Sequence, residues 1–180
     1  MNRCKWVNLK NKTYVDYHDN EWGKEEHDDR MLFELLILEG FQAGLSWECV
    51  LNKRENFREA FDNFDYINIS KYDSDKINTL LNNQNIIRNK LKVNATITNA
   101  KVFIEIQKEF GSFDKYIWGF TNGKVIKNMD DNLKTTSKLS DEISKDLKKR
   151  GMKFVGSTII YSYLQAIGII DDHELNCGFY

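Results

Sequence analysis

Apolar residues recur at helical spacing along most of the chain, and strand-like alternation is almost absent. Asp28 is placed to cap a helix whose residues Met31, Leu32, Leu35, Leu36 and Leu38 keep to a 3.6-residue period. The same reading predicts a helix from about Ser46 to Phe61, with Val50, Leu51, Phe57 and Phe61 facing inward, and a short one from Ser74 to Leu81. A long helix from Asn89 to Phe110 should end at Gly111, the segment Asp114–Phe120 adds a turn, and helices at Ser140–Arg150 and Val155–Ile167 should end at Gly151 and Gly168. Lys124–Ile126 is the sole strand candidate, and the stretch from Trp6 to Gly23 reads as loop. The pattern predicts an all-α fold.

Nothing divides the chain sharply, since it has no proline, no Gly/Ser linker and no repeat of fixed period. A single catalytic-size domain with two lobes is expected, the middle (about 30–110) forming one and the two ends (1–29 and 111–180) packing together as the other. No run approaches the roughly 20 apolar residues that span a bilayer. The first residues, Met1-Asn2-Arg3-Cys4-Lys5-Trp6, have no apolar signal core, so a cytoplasmic protein is expected, and separately a monomer with no membrane partner.

The net charge of −1 argues against a simple polyanion binder, but charge is unevenly spread. Asp16–Glu34 carries eight acids and two bases, Lys76–Lys101 five bases and no acid, and Lys134–Lys153 seven bases and three acids. Two basic segments on a neutral body fit either one positive face or ordinary solvated helix surfaces. Between the helices ending near Leu81 and beginning near Asn89, the turn Asn85-Ile86-Ile87-Arg88 followed by Lys90 and Lys92 fits a helix-hairpin-helix. In such a hairpin the positive end of the second helix and nearby bases grip a phosphate. Asn85 would occupy the left-handed turn position that glycine usually fills. An ordinary corner between packed helices fits this segment equally well.

Three cysteines in a chain with no export signal make no disulfide framework. His173-x-x-x-Cys177 is a close pair at one end, and Cys4 and His18, with thirteen residues between them, form a looser pair at the other. Such a set suits a tetrahedral structural zinc (Zn2+) that ties the termini together, although each residue also reads as a packed or solvated side chain. Cys49 reads as core and His27 as surface.

The remaining signal is aromatic. Trp6, Tyr14, Tyr17 and Trp22 cluster near the start, and Glu39 ends an otherwise apolar helix before Gly40-Phe-Gln-Ala-Gly-Leu-Ser-Trp47. The words Arg3-Cys4-x-Trp6, Tyr17-His18-Asp19-x-Glu21-Trp22-Gly23, Leu38-Glu39-Gly40-x-Gln42-Ala43-Gly44-Leu45-Ser46-Trp47 and Lys149-Arg150-Gly151-x-Lys153-Phe154-Val155-Gly156 together resemble the 3-methyladenine DNA glycosylase I family, in its order and over nearly the whole length. The resemblance implies an all-α member of the helix-hairpin-helix glycosylase superfamily, with Cys4, His18, His173 and Cys177 as the zinc clasp. It further implies a base pocket of Tyr17, Glu39 and Trp47, lined by Trp6, Tyr14 and Trp22. Asn85 and Leu91 depart from glycines in relatives, which touches the hairpin's detail.

On that resemblance the partner is double-stranded DNA with alkylated purines, and 3-methyladenine is the base released. A base methylated at N3 is a cation, which stacks on electron-rich rings such as Trp47 and is drawn to Glu39, with Tyr17 as the second polar contact. The base must leave the duplex first, and Leu45 is placed as a wedge for the gap. No lysine Schiff base is implied. The competing readings are a non-catalytic, zinc-containing helical DNA-binding module and a helical protein-interaction domain with a structural zinc.

Overall fold

The computed structural model describes residues 1–128 and 134–179, and among these the chain is dominated by ten α-helices. The central one is α2 (Asp29–Gln42). Asp28 caps it through a 2.9 Å bond from Met31 N, and every residue from Leu32 to Phe41 is buried. Burial on all sides explains why its apolar residues do not form a narrow stripe. Around it lie α7 (Lys90–Phe110), α8 (Phe113–Gly119) and α10 (Ser157–Ala166), the last backed by α9 (Lys138–Lys149). These elements share one apolar core running from Leu32 to Ile170, with Phe33, Phe57, Phe61, Phe103 and Tyr163 among its largest members. A second, smaller cluster joins Cys4, Val7, Tyr17, Trp22, Leu51 and Cys177 across the two ends of the chain.

The expected helix ends hold where a cap is present. Gly111, Gly151 and Gly168 all take positive φ after the helices they follow, and Ser137 forms a capping box with Ser140 at the start of α9. Gly168 is irreplaceable on geometric grounds, because a Cβ there would collide with the backbone of Lys24 and Glu25.

Two expectations are corrected. The N-terminal stretch read as loop contains α1 (Lys12–Asn20), capped by Asn11; its aromatic positions serve a pocket and give no core stripe. The helix expected over Ser46–Phe61 is two, α3 (Trp47–Leu51) and α4 (Arg54–Ala60), because α3 closes on bonds to Asn52 N and Lys53 N before Arg54 turns inward. After α4 come a left-handed turn, in which Asp62, Asn63 and Phe64 all have positive φ, and the short α5 (Tyr66–Ile69), capped by Asp65. The strand candidate survives as β1 (Ile126–Lys127), which pairs in parallel with β2 (Ile170–Asp171), Ile126 opposite Ile170. No helix among the described residues is long and apolar enough to cross a membrane.

Arg54 turns inward to reach an acid. Glu34 of α2 is wholly buried and accepts bonds from Arg54 (2.6 Å), Arg58 (2.7 Å) and Arg30 (2.8 Å), while Arg54 also reaches Glu21 at 2.7 Å. Burial alone would raise the Glu34 pKa, but these guanidinium groups hold it below the ordinary carboxylate range. The network ties α1 and α4 to α2.

Candidate active site

Tyr14, Tyr17 and His18 lie three and four residues apart on α1, hence on one face. That face meets Trp6, Trp22 and Trp47. The ring centroids of Trp6 and Trp22 are 4.9 Å apart, those of Trp6 and Tyr14 5.2 Å, and those of Tyr17 and Trp47 5.4 Å. The rings enclose a cavity of about 250 Å³ with Glu39 in its wall, so all six residues expected for the base pocket come together. Gln42, Ser162, Gln165 and Lys134 complete the lining. The sequence reading missed these four as site residues. Ser162 and Gln165 interrupt the apolar α10, and that interruption was the available signal.

Two polar atoms in this wall are buried with no hydrogen-bond partner, the acceptor Glu39 Oε2 and the donor Trp47 Nε1. Orphaned buried polar groups cost free energy and are kept where a ligand satisfies them. Burial pushes the Glu39 carboxyl, only 3% exposed, up to about 8 from 4.5, and no neighbouring cation offsets it. Burial, and then the proximity of Glu39, hold the Tyr17 phenol well above its ordinary value, so it keeps its proton. A larger surface cavity of about 700 Å³ between α8 and α9, lined by Phe110, Tyr116 and Arg150, contains none of the orphaned atoms. The smaller cavity is therefore the better candidate for chemistry.

Behind the aromatic wall lies a Cys/His cluster. The ligand atoms of Cys4, His18 and Cys177 lie within 4.8 Å of one another, and all three residues are buried. His173 stands beside them, its ring 5.3 Å from that of His18, with Nε2 buried and unpartnered. Asp19 bonds His18 Nδ1 at 2.8 Å, which leaves His18 Nε2 3.6 Å from Cys177 Sγ, and Asp171 bonds His173 Nδ1 at 2.7 Å, which leaves His173 Nε2 without a partner among the described residues. Arg3 in turn grips Asp19 and, with His18, holds its carboxyl at about 2. Glu174 N–H points at Cys4 Sγ at 3.5 Å. Carboxylates behind both imidazoles and an amide aimed at sulfur are the surroundings that a structural metal site requires, so this donor set fits zinc.

The hairpin segment runs between α6 (Ser74–Asn82) and α7. Ile86 is buried under it, Ile87 half-buried, and Asn85, Arg88 and Lys90 are exposed. Asn85 is not in the left-handed region that was expected of it; its N–H bonds Asn83 Oδ1 and its carbonyl accepts from Lys53. Asn89 caps α7 and already occupies the N–H groups of Leu91 and Lys92. Lys92 is a further correction. It is buried rather than at the surface with Arg88 and Lys90, and its ammonium bonds Phe41 O and Ala43 O. Leu45 is 42% exposed on the turn between α2 and α3. Cys49, read as core, is only half-buried, whereas His27 is at the surface as read, bonded to Asp114.

A helical frame carrying an aromatic cage with an unpaired buried carboxyl defines a receptor for a flat, electron-poor ring. The comparisons with known proteins place it further. The methyladenine glycosylase family matches residues 6–180, and the chain belongs to that family. It is 44% identical to the DNA-3-methyladenine glycosylase of Haemophilus influenzae over 97% of this chain and 96% of that protein. The fold superposes with a TM-score of 0.94 on a crystal structure of 3-methyladenine DNA glycosylase I that is 44% identical and covers 98% of each chain. A variant of 3-methyladenine DNA glycosylase I in complex with 3-methyladenine, 34% identical, superposes at 0.93 over 99% of this chain and 97% of that one.

Proposed function

We infer that this protein is a monofunctional DNA glycosylase that hydrolyses the N-glycosidic bond of 3-methyladenine in alkylated DNA, as part of base-excision repair. The observation that carries the reading is the orphaned pair Glu39 Oε2 and Trp47 Nε1 inside an aromatic cage, within a family whose relatives act on and bind this base. The lesion still attached to its sugar is a cation. It gains from stacking on Trp47 and Trp6 and from the ionised Glu39, whereas neutral adenine gains only the stacking. Extrusion from the duplex costs roughly a few kcal/mol, less for a lesion that pairs poorly. In the pocket the bond from the sugar C1′ to the base nitrogen breaks, and its electron pair goes to the base and neutralises it. A water oxygen then bonds C1′ and releases a proton. Because the leaving group is already cationic, the pocket's chief task is recognition. Tyr17 supplies a phenolic O–H beside Glu39 to orient the base.

DNA is held by the helix-hairpin-helix formed by α6, the turn at Asn85–Arg88 and α7. The exposed Arg88 and Lys90 stand at the positive end of α7, where a backbone phosphate is favoured. Leu45, exposed on the turn before Trp47, enters the gap left by the base. Cys4, His18, His173 and Cys177 hold one structural Zn2+, whose role is to clamp the two chain ends behind the aromatic wall. The test is incubation with methylated duplex DNA and identification of the free bases. Release of 3-methyladenine that is lost in folded Glu39→Ala and Trp47→Ala variants is expected, and no release by the folded wild type would refute the reading. Borohydride trapping should give no covalent enzyme–DNA adduct.

A further inference from the structure

Lys92 is the third residue of α7, only two positions beyond Lys90, yet it is 7% exposed. Its Nζ donates to the carbonyls of Phe41 at 2.8 Å and Ala43 at 2.6 Å. Both lie at the C-terminal end of α2, where carbonyls lack partners within the helix and its partial negative charge collects. No carboxylate pairs with Lys92 among the described residues, and burial lowers its pKa. The ammonium is thus spent wholly on two backbone oxygens that flank Gln42, itself part of the pocket lining. From Ala43 the chain passes through Gly44 at φ +80° and Leu45 to Ser46, which caps the helix that carries Trp47. Apart from turn bonds within itself, Ala43 N to Gly40 O and Leu45 N to Gln42 O, and the capping of α3 by Ser46, the hydrogen bond that holds this connection among the described residues comes from Lys92.

We propose that Lys92 is a positioning residue that couples the DNA-gripping start of α7 to the turn at Gln42–Ser46, so that phosphate engagement by Arg88 and Lys90 and insertion of Leu45 occur as one event. The inference rests on the reading above that Leu45 enters the duplex and that the start of α7 meets phosphates. The pocket rings also brace one another without Lys92, Trp47 against Tyr17 at 5.4 Å and Trp6 against Trp22 at 4.9 Å, so affinity for the free base should depend on Lys92 little.

Lys92→Met, Leu45→Ala and the double variant are compared in two assays. One is affinity for free 3-methyladenine, and the other is kcat/KM for excision from methylated duplex DNA. Lys92→Met should bind the free base within about twofold of wild type but excise roughly ten- to a hundredfold more slowly, the range that a misplaced loop of about 1 Å produces. The double variant should be little worse than Leu45→Ala alone, since both act through one turn. Multiplying losses, an unimpaired Lys92→Met, or equal losses in both assays would each overturn the proposal. Unimpaired excision by Leu45→Ala would instead refute the wedge reading. If Lys92→Met does not fold, Lys92→Arg keeps the cation and should show a few-fold loss confined to the duplex substrate; a matching loss of free-base affinity overturns the coupling.

Discussion

Glu39→Gln should stabilise the protein while disabling it. The Glu39 carboxyl is buried, Oε2 has no partner, and burial raises its pKa to about 8 from 4.5. Because the folded value lies above the unfolded one, the folded state keeps a proton that the unfolded chain has already lost. The favourable contribution is therefore fully present below about pH 4.5 and is lost as pH rises through about 8. At about 1.36 kcal/mol per pH unit, the full span is worth about 5 kcal/mol, of which about 3 kcal/mol has already accumulated at pH 7. Glutamine has no proton to lose. The stability difference between Glu39→Gln and wild type, measured by urea unfolding at fixed temperature, should thus grow by about 4 kcal/mol between pH 5 and pH 9. Taking the difference cancels every other titrating group, since the two proteins share them.

Activity should move the other way. The cationic lesion is attracted by ionised Glu39, so the wild-type kcat/KM should rise about tenfold per pH unit and level off near pH 8, because that ratio reports the free enzyme. The variant should be slow and flat. A stability difference independent of pH, or a wild-type profile flat between pH 6 and pH 8, would show that the carboxyl is ionised in the empty pocket and refute the reasoning.

Three further outcomes are expected. Trp47→Ala removes a stacking ring and the buried Nε1 donor, and should weaken base affinity about ten- to a hundredfold, read by equilibrium binding of 3-methyladenine. Cys177→Ser should lower the metal content from about one zinc per chain toward none by elemental analysis and lower the melting temperature, because Cys177 meets Cys4 and His18 from the other end of the chain. Glu34→Gln leaves the buried Arg54 with Glu21 as its remaining acid and should cost about 3–5 kcal/mol in urea unfolding, without altering the Glu39-dependent pH profile.

The sequence was legible where one constraint dominated. The long α7 had a cap, a period and a terminal glycine, and its bounds came out to within a residue. The aromatic α1 was not, because Tyr14, Tyr17 and His18 face a cavity and a Cys/His cluster, so its pattern gave no apolar stripe. Lys92 was misread for a geometric reason. Neighbours two apart on a helix point about 200° away from each other, so Lys90 and Lys92 were close in the sequence and opposite in space. Ser162 and Gln165 were hidden inside a helix that otherwise reads as core. The pairing of β1 with β2 joins residues 44 apart in the chain, which local pattern does not reveal.

The two acids buried in α2 show most directly what kind of site this is. Glu34 and Glu39 are five residues apart, both inside, yet one is bonded by three arginines while the other keeps a carboxylate oxygen without a partner in a largely aromatic pocket. Removing arginine from around Glu39 would make no sense for a structural acid, since the core next to it shows how the fold satisfies one. It makes sense for an acid whose partner arrives as a cation and must find a carboxylate oxygen not already bonded. The same reasoning explains the position of the Cys/His cluster. Trp22 packs against His173 at 4.7 Å and Trp6 against His18 at 5.3 Å, so the aromatic wall is braced from behind by the Cys/His cluster. A cage whose carboxyl resists ionisation while empty has to be kept rigid by something other than its own polar contacts, and the joined chain ends supply that rigidity.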